Sequence, residues 1–550
     1  MENRKSSLRG NCVLTLRDVT EELLRQEEHL REGGGADGQQ RQLRHGRLPV
    51  RQRLALLLDE GRPFFELGIW AAYKMYEDWG DVPAAGIVTG IGWVSGRPCL
   101  IAAHDATVKA GAMFPQSVKK LLRAQRIAFQ FRLPLLYLVD SAGAFLPLQD
   151  EIFPDEDDFG RIFRNNAVLS AAGIPQYAAV MGNCVAGGAY LPVLCDKLLM
   201  TDGSQLCLAG PALVKAAIGQ VVDPEELGGA TMHAAISGTV DFHEPNDESC
   251  IKRLRSLVEL LASGGDKEIG REGEGEKEGN ADVSSSSDRI YDIVSADGRG
   301  EYDVRDLLMC LVDGDSLQEY KAEFGQSLVT AFAKIGGRAV GIVANQKLRC
   351  RTASGEVQVG GVIYPDAADK AARFVMDCNQ TRVPIVFLQD VQGFMVGKQA
   401  EQAGIIRAGA KLVNVVSNSI VPKLTVIIGG SFGAGHYAMC GKAYDPAIIL
   451  AWPNAKYAVM GADQAAETLL ALQLRDAQRA GRTLAEDEIE DLRQTIRERY
   501  IAQTDIRYGA ARGWVDAIIA PHETRLWLRN ALDLLPATTQ GEFRTGVLQV

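Results

Sequence analysis

Two glycine-containing turns are the residues of this chain best suited to chemistry. VMGNCVAGGAY (180–190) and IIGGSFGAGHY (427–437) each join an apolar, strand-like run to a helical stretch. Small residues at such a junction expose backbone amides at a helix N-terminus, where the helix dipole favours negative charge. Amides arranged in this way can form an oxyanion hole without side chains. The pattern predicts two anion-stabilising sites, and we expect the earlier turns DSAGAFLP (140–147) and DVQGFMVG (390–397) to face them.

The motifs that the chain lacks narrow this chemistry. It has no G-x-x-x-x-G-K-[ST] phosphate loop, no G-x-S-x-G nucleophile elbow and no convincing G-x-G-x-x-G run. Among its seven histidines, His104 and His436 lie where they could line a site, and no spacing predicts a metal site. The run after AGGAY is LPVLC, which offers no carboxylate to handle water as a hydratase requires. These features favour carboxyl transfer between two enolates, a chemistry in which the protein itself need supply neither acid nor base.

The elements that must position these turns are duplicated. SGRPCLIAAHD (95–105) parallels GGRAVGIVANQ (336–346), RLPLLYLVDSAG (132–143) parallels RVPIVFLQDVQG (382–393), and GIPQYAAVMGNCVAGGAY (173–190) parallels IVPKLTVIIGGSFGAGHY (420–437). The offsets are 241 from Gly96 to Gly337, 250 from Pro134 to Pro384 and 246 from Gly187 to Gly433. Apolar runs at 98–105, 134–141, 176–182 and 197–202, separated by helical patterns, are typical of βα units with buried strands. We predict an α/β protein with two homologous domains, at 1–265 and 291–550, separated by a Gly-, Ser- and charge-rich linker or insertion at 266–290.

Composition excludes several classes of protein. The 550 residues carry 59 Lys and Arg against 70 Asp and Glu, and the net charge of −11 argues against a general nucleic-acid binder. No apolar run has transmembrane length, and the first residues, MENRKSSLRGNC, lack the apolar core of a secretory signal. The ten cysteines include no C-x-x-C pair and are expected to be buried thiols. We expect a soluble protein, cytoplasmic in a bacterium or in the mitochondrial matrix of a eukaryote, with a flexible interruption at EGGGADGQQ (32–40).

Together these segments resemble the carboxyltransferase (β) subunits of biotin-dependent acyl-CoA carboxylases, most of all those of 3-methylcrotonyl-CoA carboxylases. The matching runs cover nearly the whole chain and include HDATVKAGAMFPQSVKKLLRAQ (104–125), YLVDSAGAFLPLQDEIFPDEDDFGRIF (137–163), GFMVGKQAEQAGIIRAGAK (393–411) and GGSFGAGHYAMCGKAYDP (429–446). The resemblance implies tandem crotonase-like ββα-superhelix domains, with acyl-CoA on the first and biotin on the second domain of a neighbouring subunit. It also implies transfer of a carboxyl group from carboxybiotin to an acyl-CoA, which for 3-methylcrotonyl-CoA gives 3-methylglutaconyl-CoA.

The resemblance also implies roles for particular residues. Carried over by motif, the amides of Gly187 and Gly188 would hold the thioester enolate oxygen, and those of Gly433, Ala434 and Gly435 the ureido oxygen of biotin. The residues expected to bind the substrate are Ala142, Gly143, Ala144 and Phe145, and those expected to bind biotin are Gly393, Phe394, Phe432, His436 and Tyr437. Core packing is the alternative for Ala142 and for the two phenylalanines of the first turns.

A local basic cluster stands out in this acidic chain. Its members are Lys109, Lys119, Lys120 and Arg123, and all four are expected to bind the substrate. Lys119 and Arg123 are one helical turn apart and could face the phosphates of CoA. A solvated helix face is the alternative interpretation.

The motifs that are missing also indicate partners. The chain has no Met-Lys-Met biotinylation motif and no ATP-binding glycine motif. The resemblance therefore implies a partner (α) subunit with biotin carboxylase and biotin-carrier domains, and self-association to a hexamer with shared active sites. YGAARGWVDAIIAP (508–521) is closer in character to propionyl-CoA or glutaconyl-CoA relatives. A propionyl-CoA or geranyl-CoA carboxylase therefore stays open, as does the carboxyltransferase subunit of a glutaconyl-CoA decarboxylase, which runs the transfer towards biotin. A biotin-independent hydratase or isomerase and a non-catalytic assembly scaffold are the alternatives from other classes.

Overall fold

A computed structural model describes residues 16–261, 289–295, 298, 300–352, 355–479, 482, 484–535 and 541–549. We call residues 16–261 the N-half and residues 289–549 the C-half. The predicted linker at 266–290 lies outside the described residues, apart from its last two positions, so the domain boundaries remain a prediction. In the described part of the chain, no helix combines the length and the apolar character needed to cross a membrane.

The N-half forms one mixed sheet. Its strands are β1 (Phe65–Leu67), β2 (Ile87–Val94), β3 (Arg97–His104), β4 (Leu135–Ser141), β5 (Gln176–Val185), β6 (Lys197–Thr201), β7 (Gln205–Cys207) and β8 (Phe242–Glu244). The order is β1-β2-β3-β4-β5-β6-β8, and β7 pairs with the last residues of β5. The first three strands are antiparallel and the others parallel. The apolar runs predicted as strands at 98–105, 134–141, 176–182 and 197–202 all lie in this sheet.

The C-half repeats that sheet strand for strand. Its strands are β9 (Gln318–Tyr320), β10 (Leu328–Ile335), β11 (Arg338–Asn345), β15 (Ile385–Val391), β17 (Lys423–Phe432), β18 (Ile448–Ala451), β19 (Lys456–Ala458) and β20 (Ala517–Ile518). The order β20-β18-β17-β15-β11-β10-β9, with β19 paired to β17, mirrors the N-half. Two short ladders join β12 (Cys350–Arg351) to β13 (Val357–Gln358) and β14 (Val362–Ile363) to β16 (Gly393–Phe394).

Helices cover both faces of each sheet, so the central strands are buried on both sides. In the N-half they are α1 (Leu16–Arg31), α2 (Gly35–Arg44), α3 (Val50–Leu57), α4 (Pro115–Phe131), α5 (Phe159–Ala171), α6 (Tyr190–Val193), α7 (Pro211–Ile218), α8 (Pro224–Gly228), α9 (Ala230–Met232) and α10 (Asp247–Glu259). In the C-half they are α11 (Ile290–Ile293), α12 (Val304–Leu311), α13 (Pro365–Gln380), α14 (Lys398–Gln402), α15 (Ile405–Ser417), α16 (Gly433–Ala438), α17 (Ala462–Arg479), α18 (Glu486–Thr504), α19 (Ile506–Ala511) and α20 (Thr524–Leu534).

One hydrophobic core is continuous between the two halves. Side chains of α5, such as Phe163, belong to the same buried cluster as Val413 and Val416 of α15. A second core lies on the opposite face of each sheet, beneath α3 and α10 in the N-half and beneath α12 and α20 in the C-half. Burial of apolar area on this scale is the main stabilising contribution to the fold. The continuous core fixes the relative positions of the two halves of one chain.

A polar clasp at the β-hairpin of each half shows how detailed the duplication is. Asp59 accepts hydrogen bonds from the amides of Ser95 and Gly96, and Arg255 of α10 pairs with it at 2.7 Å. In the C-half, Asp313 accepts from Gly336 and Gly337, and Arg525 of α20 pairs with it at 2.6 Å; these four residues occupy equivalent places. Each arginine also donates to a helix-end carbonyl, that of Leu57 or Leu311.

The structure corrects the register of the predicted repeat. Residue Ala186 has φ +58° and Gly433 also has φ +58°. Both follow the last residue of the long central strand, Val185 in β5 and Phe432 in β17. Ala186 is therefore the counterpart of Gly433, and Gly187 and Gly188 correspond to Ala434 and Gly435. The sequence pairs Gly187 with Gly433 because an alanine in a left-handed conformation carries no sequence signal.

The glycine run at 32–40 is packed rather than flexible, which corrects the sequence expectation. The Gly34 amide donates to Thr107 Oγ1 at 2.9 Å. A Cβ at Gly38 would come within 2.9 Å of the Thr107 side chain, and one at Gly34 would overlap the Thr107 carbonyl. These glycines permit close approach of the backbone to the loop that follows β3. The N-terminal helices are thereby fixed beside residues 105–109.

Candidate active site

The second turn of the N-half begins where β5 ends. A 3₁₀ turn over Ala186–Ala189 leads directly into α6. The first amides of such a helical segment lack partners within the helix. Gly187 and Gly188 are half-buried, and a Cβ at Gly188 would lie 3.7 Å from the Cα of Gly143 in the first turn. The structure thus brings the two predicted turns together at half-buried glycines.

The C-half has the same arrangement. Helix α16 starts at Gly433, directly after β17, and Gly433 and Ala434 are half-buried. A Cβ at Gly435 would lie 2.5 Å from Val391 Cγ2 and 3.1 Å from the Cα of Gly393. The first and second turns of this half are therefore in contact as well. We call the turns at 186–188 and 433–435 the backbone cradles of the two halves. Amides arranged in this way can donate to an oxyanion.

A buried polar network lies beneath the C-half turn. His436 is fully buried, with Nδ1 2.7 Å from Ser431 Oγ and 3.2 Å from Gln389 Oε1. Its Nε2 contacts the hydroxyl of Tyr457, which donates to the Pro154 carbonyl at 2.8 Å. Desolvation lowers the pKa of His436 to about 3, so the ring is neutral. Enclosed by these partners, His436 can orient the turn but does not line an opening, contrary to the biotin contact expected from the sequence.

Other predicted biotin-site residues are buried too. Tyr437 is 1% exposed, and its hydroxyl donates to the Phe153 carbonyl at 3.0 Å, so it joins the two halves rather than facing solvent. Phe432 and Phe394 are 7% and 8% exposed and pack in apolar clusters. Gly393 is half-buried beside Gly435. His104 is also buried, and desolvation lowers its pKa to about 4, which removes it from the expected site lining.

The first turn of the N-half presents a mixed surface. Ala142 is exposed, Ala144 is half-buried and Gly143 is buried with φ +86°. The Phe145 ring stacks on Phe114 at a centroid distance of 4.2 Å and meets the edge of Trp79 at 5.3 Å. Phe145 is thus both partly exposed and part of a small aromatic cluster.

The basic cluster divides into exposed and buried members. Lys119 and Arg123 are exposed on one face of α4, as their spacing predicts. Lys109 is also exposed, and its ammonium donates to the Trp79 carbonyl at 2.6 Å. These three cations are the exposed members of the basic cluster.

Lys120 lies apart from this surface, which corrects the expectation that it binds the substrate. It is 8% exposed and donates to the carbonyls of Ala84 and Ile87 at 2.9 and 2.5 Å. Desolvation lowers its pKa to about 7. Its ammonium satisfies backbone carbonyls at a bend where Ala84 and Ala85 both have positive φ.

Two buried aspartates at the turns were missed by the sequence reasoning. Asp140 and Asp390 lie at the ends of the equivalent strands β4 and β15, and both are at most 2% exposed. Desolvation raises the pKa of Asp140, and the neighbouring Arg53 and Arg47 oppose that shift. The repeated D in DSAG and DVQG was the available signal, but only the structure shows what each carboxylate contacts.

Comparisons with known proteins agree with this geometry. Residues 41–545 match the model of the carboxyl transferase domain family. The chain belongs to that family, and it is an enzyme of the carboxyltransferase class with a crotonase-like α/β fold, as the resemblance predicted.

Particular relatives narrow the assignment. The chain is 43% identical over 519 residues to the beta1 subunit of the biotin-dependent 3-methylcrotonyl-coenzyme A carboxylase of Mycobacterium tuberculosis, covering 94% of each chain. It is 40% identical over 552 residues to the mitochondrial methylcrotonoyl-CoA carboxylase beta chain of Arabidopsis thaliana, covering 98% of this chain and 91% of that one. The chain is also 34% identical to the transcarboxylase 12S chain, whose crystal structure describes a hexamer assembly. That match covers 97% of this chain and 99% of the other, with a TM-score of 0.43.

Proposed function

We propose that this chain is the carboxyltransferase subunit of an acyl-CoA carboxylase and that its substrate is 3-methylcrotonyl-CoA. The observation that carries the proposal is the pair of equivalent backbone cradles at 186–188 and 433–435. Two cradles suit a reaction that passes through two enolates, whereas a hydratase or isomerase needs one. Relatives named as 3-methylcrotonyl-CoA carboxylase subunits, at 43% and 40% identity, support the substrate.

The N-half is proposed to hold the acyl-CoA. The amides of Gly187 and Gly188 would donate to the thioester oxygen as negative charge develops on it, because donors fixed in advance stabilise that charge without reorganisation. The first turn, at Gly143, Ala144 and Phe145, would border the acyl chain. Lys109, Lys119 and Arg123 would bind the phosphates of CoA.

The C-half is proposed to hold biotin, carried on a partner subunit. Its turn lies close against the first turn, because Gly435 packs on Val391 and Gly393 where a Cβ would not fit. Amides of Gly433, Ala434 and Gly435 would donate to the ureido oxygen. When bound, carboxybiotin supplies the carboxyl group and the base. The residues of this chain orient the reactants and exclude water, and effective molarity accounts for a large share of such catalysis.

The proposal extends to the assembly. We propose domains at 1–265 and 291–550, an α subunit with biotin carboxylase and biotin-carrier domains, and a hexamer in which one chain's N-half works with a neighbour's C-half. The transcarboxylase 12S core at 34% identity assembles as a hexamer. For localisation, we propose the cytoplasm of a bacterium or the matrix of a eukaryotic mitochondrion. The relative from Arabidopsis thaliana is named as a mitochondrial chain.

An acyl-CoA panel tests the function. The co-purified complex is assayed with ATP and labelled bicarbonate on 3-methylcrotonyl-, geranyl- and propionyl-CoA. Loss of the carboxyl group from glutaconyl-CoA is measured separately, because a decarboxylase transfers that group towards biotin. We expect the highest kcat/KM for 3-methylcrotonyl-CoA. A higher value for another thioester would reassign the substrate, and no incorporation with any of them, while biotin is shown to be carboxylated, would reject the transferase role.

Charge reversal tests the CoA contact. The Lys119→Glu/Arg123→Glu variant should raise the KM for the acyl-CoA about tenfold or more and leave kcat within about twofold, since removing two charge-assisted contacts weakens binding rather than chemistry. Lys252→Glu is the matched control, because this exposed residue of α10 lies on the other face of the same sheet. An unchanged KM in the double variant would contradict the assignment.

A further inference from the structure

The strand that precedes each second turn contains the same β-bulge. In the N-half, Val139 pairs with Val180, but Ser141 pairs with Cys184. Asp140 alone therefore stands opposite the three residues 181–183 of β5. A bulge of this kind bends a strand and redirects the residues beyond it. After the bulge, β5 leaves β6 and pairs with β7 instead, and the turn begins at Ala186.

The C-half repeats the irregularity residue for residue. Gln389 pairs with Ile427 and Val391 with Ser431, so Asp390 alone stands opposite residues 428–430 of β17. Beyond it, β17 changes its partner from β18 to β19. The turn then begins three residues after the bulge, as it does in the N-half.

Each aspartate accepts a hydrogen bond from an amide of the bulge, which has no partner in the ladder between β4 and β5 or between β15 and β17. Asp140 Oδ1 accepts from the Asn183 amide at 3.1 Å, and Asp390 Oδ1 accepts from the Gly430 amide at 2.9 Å. A buried amide left without an acceptor would be costly. The residue before each amide is glycine, and a Cβ there would overlap the Asp140 carboxylate or approach Cγ of Asp390 to 2.5 Å. Carboxylate, glycine and bulge thus form one unit.

The cations around the two carboxylates differ. Arg53 of α3 lies 3.4 Å from Asp140 Oδ2 and also pairs with Asp247 at 2.8 Å. Asp390 instead pairs with Lys347 at 2.8 Å and accepts from the Tyr302 hydroxyl at 3.1 Å. The two carboxylates are neutralised from different positions of the fold, whereas the carboxylate-to-amide bond is the same. What the two halves share is therefore the hydrogen bond from the bulge amide to the aspartate, not a particular ion pair.

We propose that Asp140 and Asp390 are positioning residues, each of which holds the bulge of its own half and so fixes the direction in which that half's turn presents its amides. Neither carboxylate touches a reactant. This inference rests on the proposed function for its kinetic consequence, but its structural consequence is independent of any activity.

Hydrogen–deuterium exchange of the assembled protein tests the structural consequence. Asp390→Ala should increase exchange at least about tenfold in peptides spanning 428–438 and leave 181–190 unchanged, and Asp140→Ala should do the reverse. Asp→Asn at either position keeps an oxygen for the amide, so the effect should be smaller. Equal increases in both halves, or no increase at the turn of the altered half, would overturn the proposal.

Kinetics of the full complex test the functional consequence. A misdirected oxyanion hole should lower kcat about tenfold to 10²-fold in either alanine variant, because small displacements of positioned groups are costly. The KM for acyl-CoA should rise for Asp140→Ala and stay within about twofold for Asp390→Ala. If the exchange results hold but wild-type protein transfers no carboxyl group, the proposed function fails and the positioning role stands. If wild type is active and kcat is unchanged in the variants, the positioning role fails.

Two further variants separate positioning from charge balance. Lys347→Met/Asp390→Asn removes both charges of the C-half pair and keeps the amide acceptor, so it should recover kcat relative to Asp390→Ala. Asp247→Asn removes the other carboxylate of Arg53 and leaves the Asn183 amide bound, so exchange at 181–190 should stay at the wild-type level. A loss of protection in Asp247→Asn equal to that in Asp140→Ala would assign the effect to the ion cluster and overturn the proposal.

Discussion

The layer beneath the second turn is apolar in the N-half and polar in the C-half, although the backbone is the same. Equivalent positions hold Val139, Cys184, Ala189 and Leu206 in the N-half and Gln389, Ser431, His436 and Tyr457 in the C-half. All four N-half side chains are at most 1% exposed and belong to the continuous core. The C-half set forms a hydrogen-bonded chain that ends on the Pro154 carbonyl of the N-half.

This difference shows that one fold supports its cradle in two ways. Close packing holds a turn through many weak, non-directional contacts. A buried polar network holds it through a few directional bonds, each of which is expensive to break. The C-half turn is also tied to residue 154, which lies in the segment that follows the first turn of the N-half. A displacement of the segment around Pro154 in the N-half would therefore be transmitted to the C-half turn through the hydrogen bond to Tyr457.

Filling the cradles should produce the largest effects. Gly188→Val and Gly435→Val should each lower kcat by about 10²–10³. A side chain at 188 would occupy the space beside the first turn, one at 435 would push the second turn away from Val391, and either change would misplace the amides. The two variants should differ in thermal stability. A Cβ at position 188 would have room, with its nearest neighbour 3.7 Å away, whereas a Cβ at 435 would lie 2.5 Å from Val391. Tm should fall only for Gly435→Val, and equal kcat for wild type and variants would contradict the cradle assignment.

Removal of one hydroxyl tests the polar support of the C-half turn. Tyr457→Phe leaves the Pro154 carbonyl and His436 Nε2 without a partner, which costs about 1–3 kcal/mol. We expect a fall in Tm and a several-fold fall in kcat, with little change in the KM for acyl-CoA. Tyr137→Phe is the control, since its buried hydroxyl donates to Asn166 within the N-half, outside the network. Equal kcat losses in the two variants would argue against a special role of the network.

Two glutamates at equivalent positions of the two halves should contribute differently to the pH dependence of stability. Glu151 and Glu401 each lie eight residues after the glycine of the first turn, and only Glu401 is buried. Desolvation raises the pKa of Glu401 to about 8, although the hydrogen bond from the Leu208 amide by itself lowers that pKa. The folded state thus keeps a proton that the unfolded chain releases near pH 4.5, so stability falls as pH rises from about 5 to 8.

Glutamine substitution measures that effect. Glu401→Gln removes the titration, so its Tm should rise relative to wild type as pH increases from about 5 to 8, on the order of a few degrees. Glu151→Gln at the matched exposed position should follow the wild-type curve. A Glu401→Gln curve parallel to wild type over this range would show that Glu401 ionises as an ordinary carboxyl group.

Much of the fold could be predicted from the sequence because its signals are local. Apolar runs marked β3, β4, β5 and β6, and duplicated glycine turns marked the cradles. Long-range packing decided the rest. Lys120 sits in a helix whose sequence suggests a solvated face there, yet its ammonium satisfies carbonyls at a distant bend. His436 is placed in a glycine turn by its sequence, but Gly441 lies against its ring and leaves it enclosed. The sequence shows that Asp140 is repeated in the second half, but it does not show that the carboxylate binds an amide of the neighbouring strand.

The smallest expected effect concerns the first residue of each turn. Ala186 adopts φ +58°, where its counterpart in the C-half is Gly433 with the same φ. A left-handed conformation costs a non-glycine residue about 1 kcal/mol or slightly more. Ala186→Gly should therefore raise Tm by about 1–3 °C with kcat within about twofold, and Gly433→Ala should lower it, since its Cβ would also lie 3.1 Å from the Val459 carbonyl. A lower Tm for Ala186→Gly would mean that the alanine methyl stabilises the N-half turn by packing, as the apolar layer beneath it does.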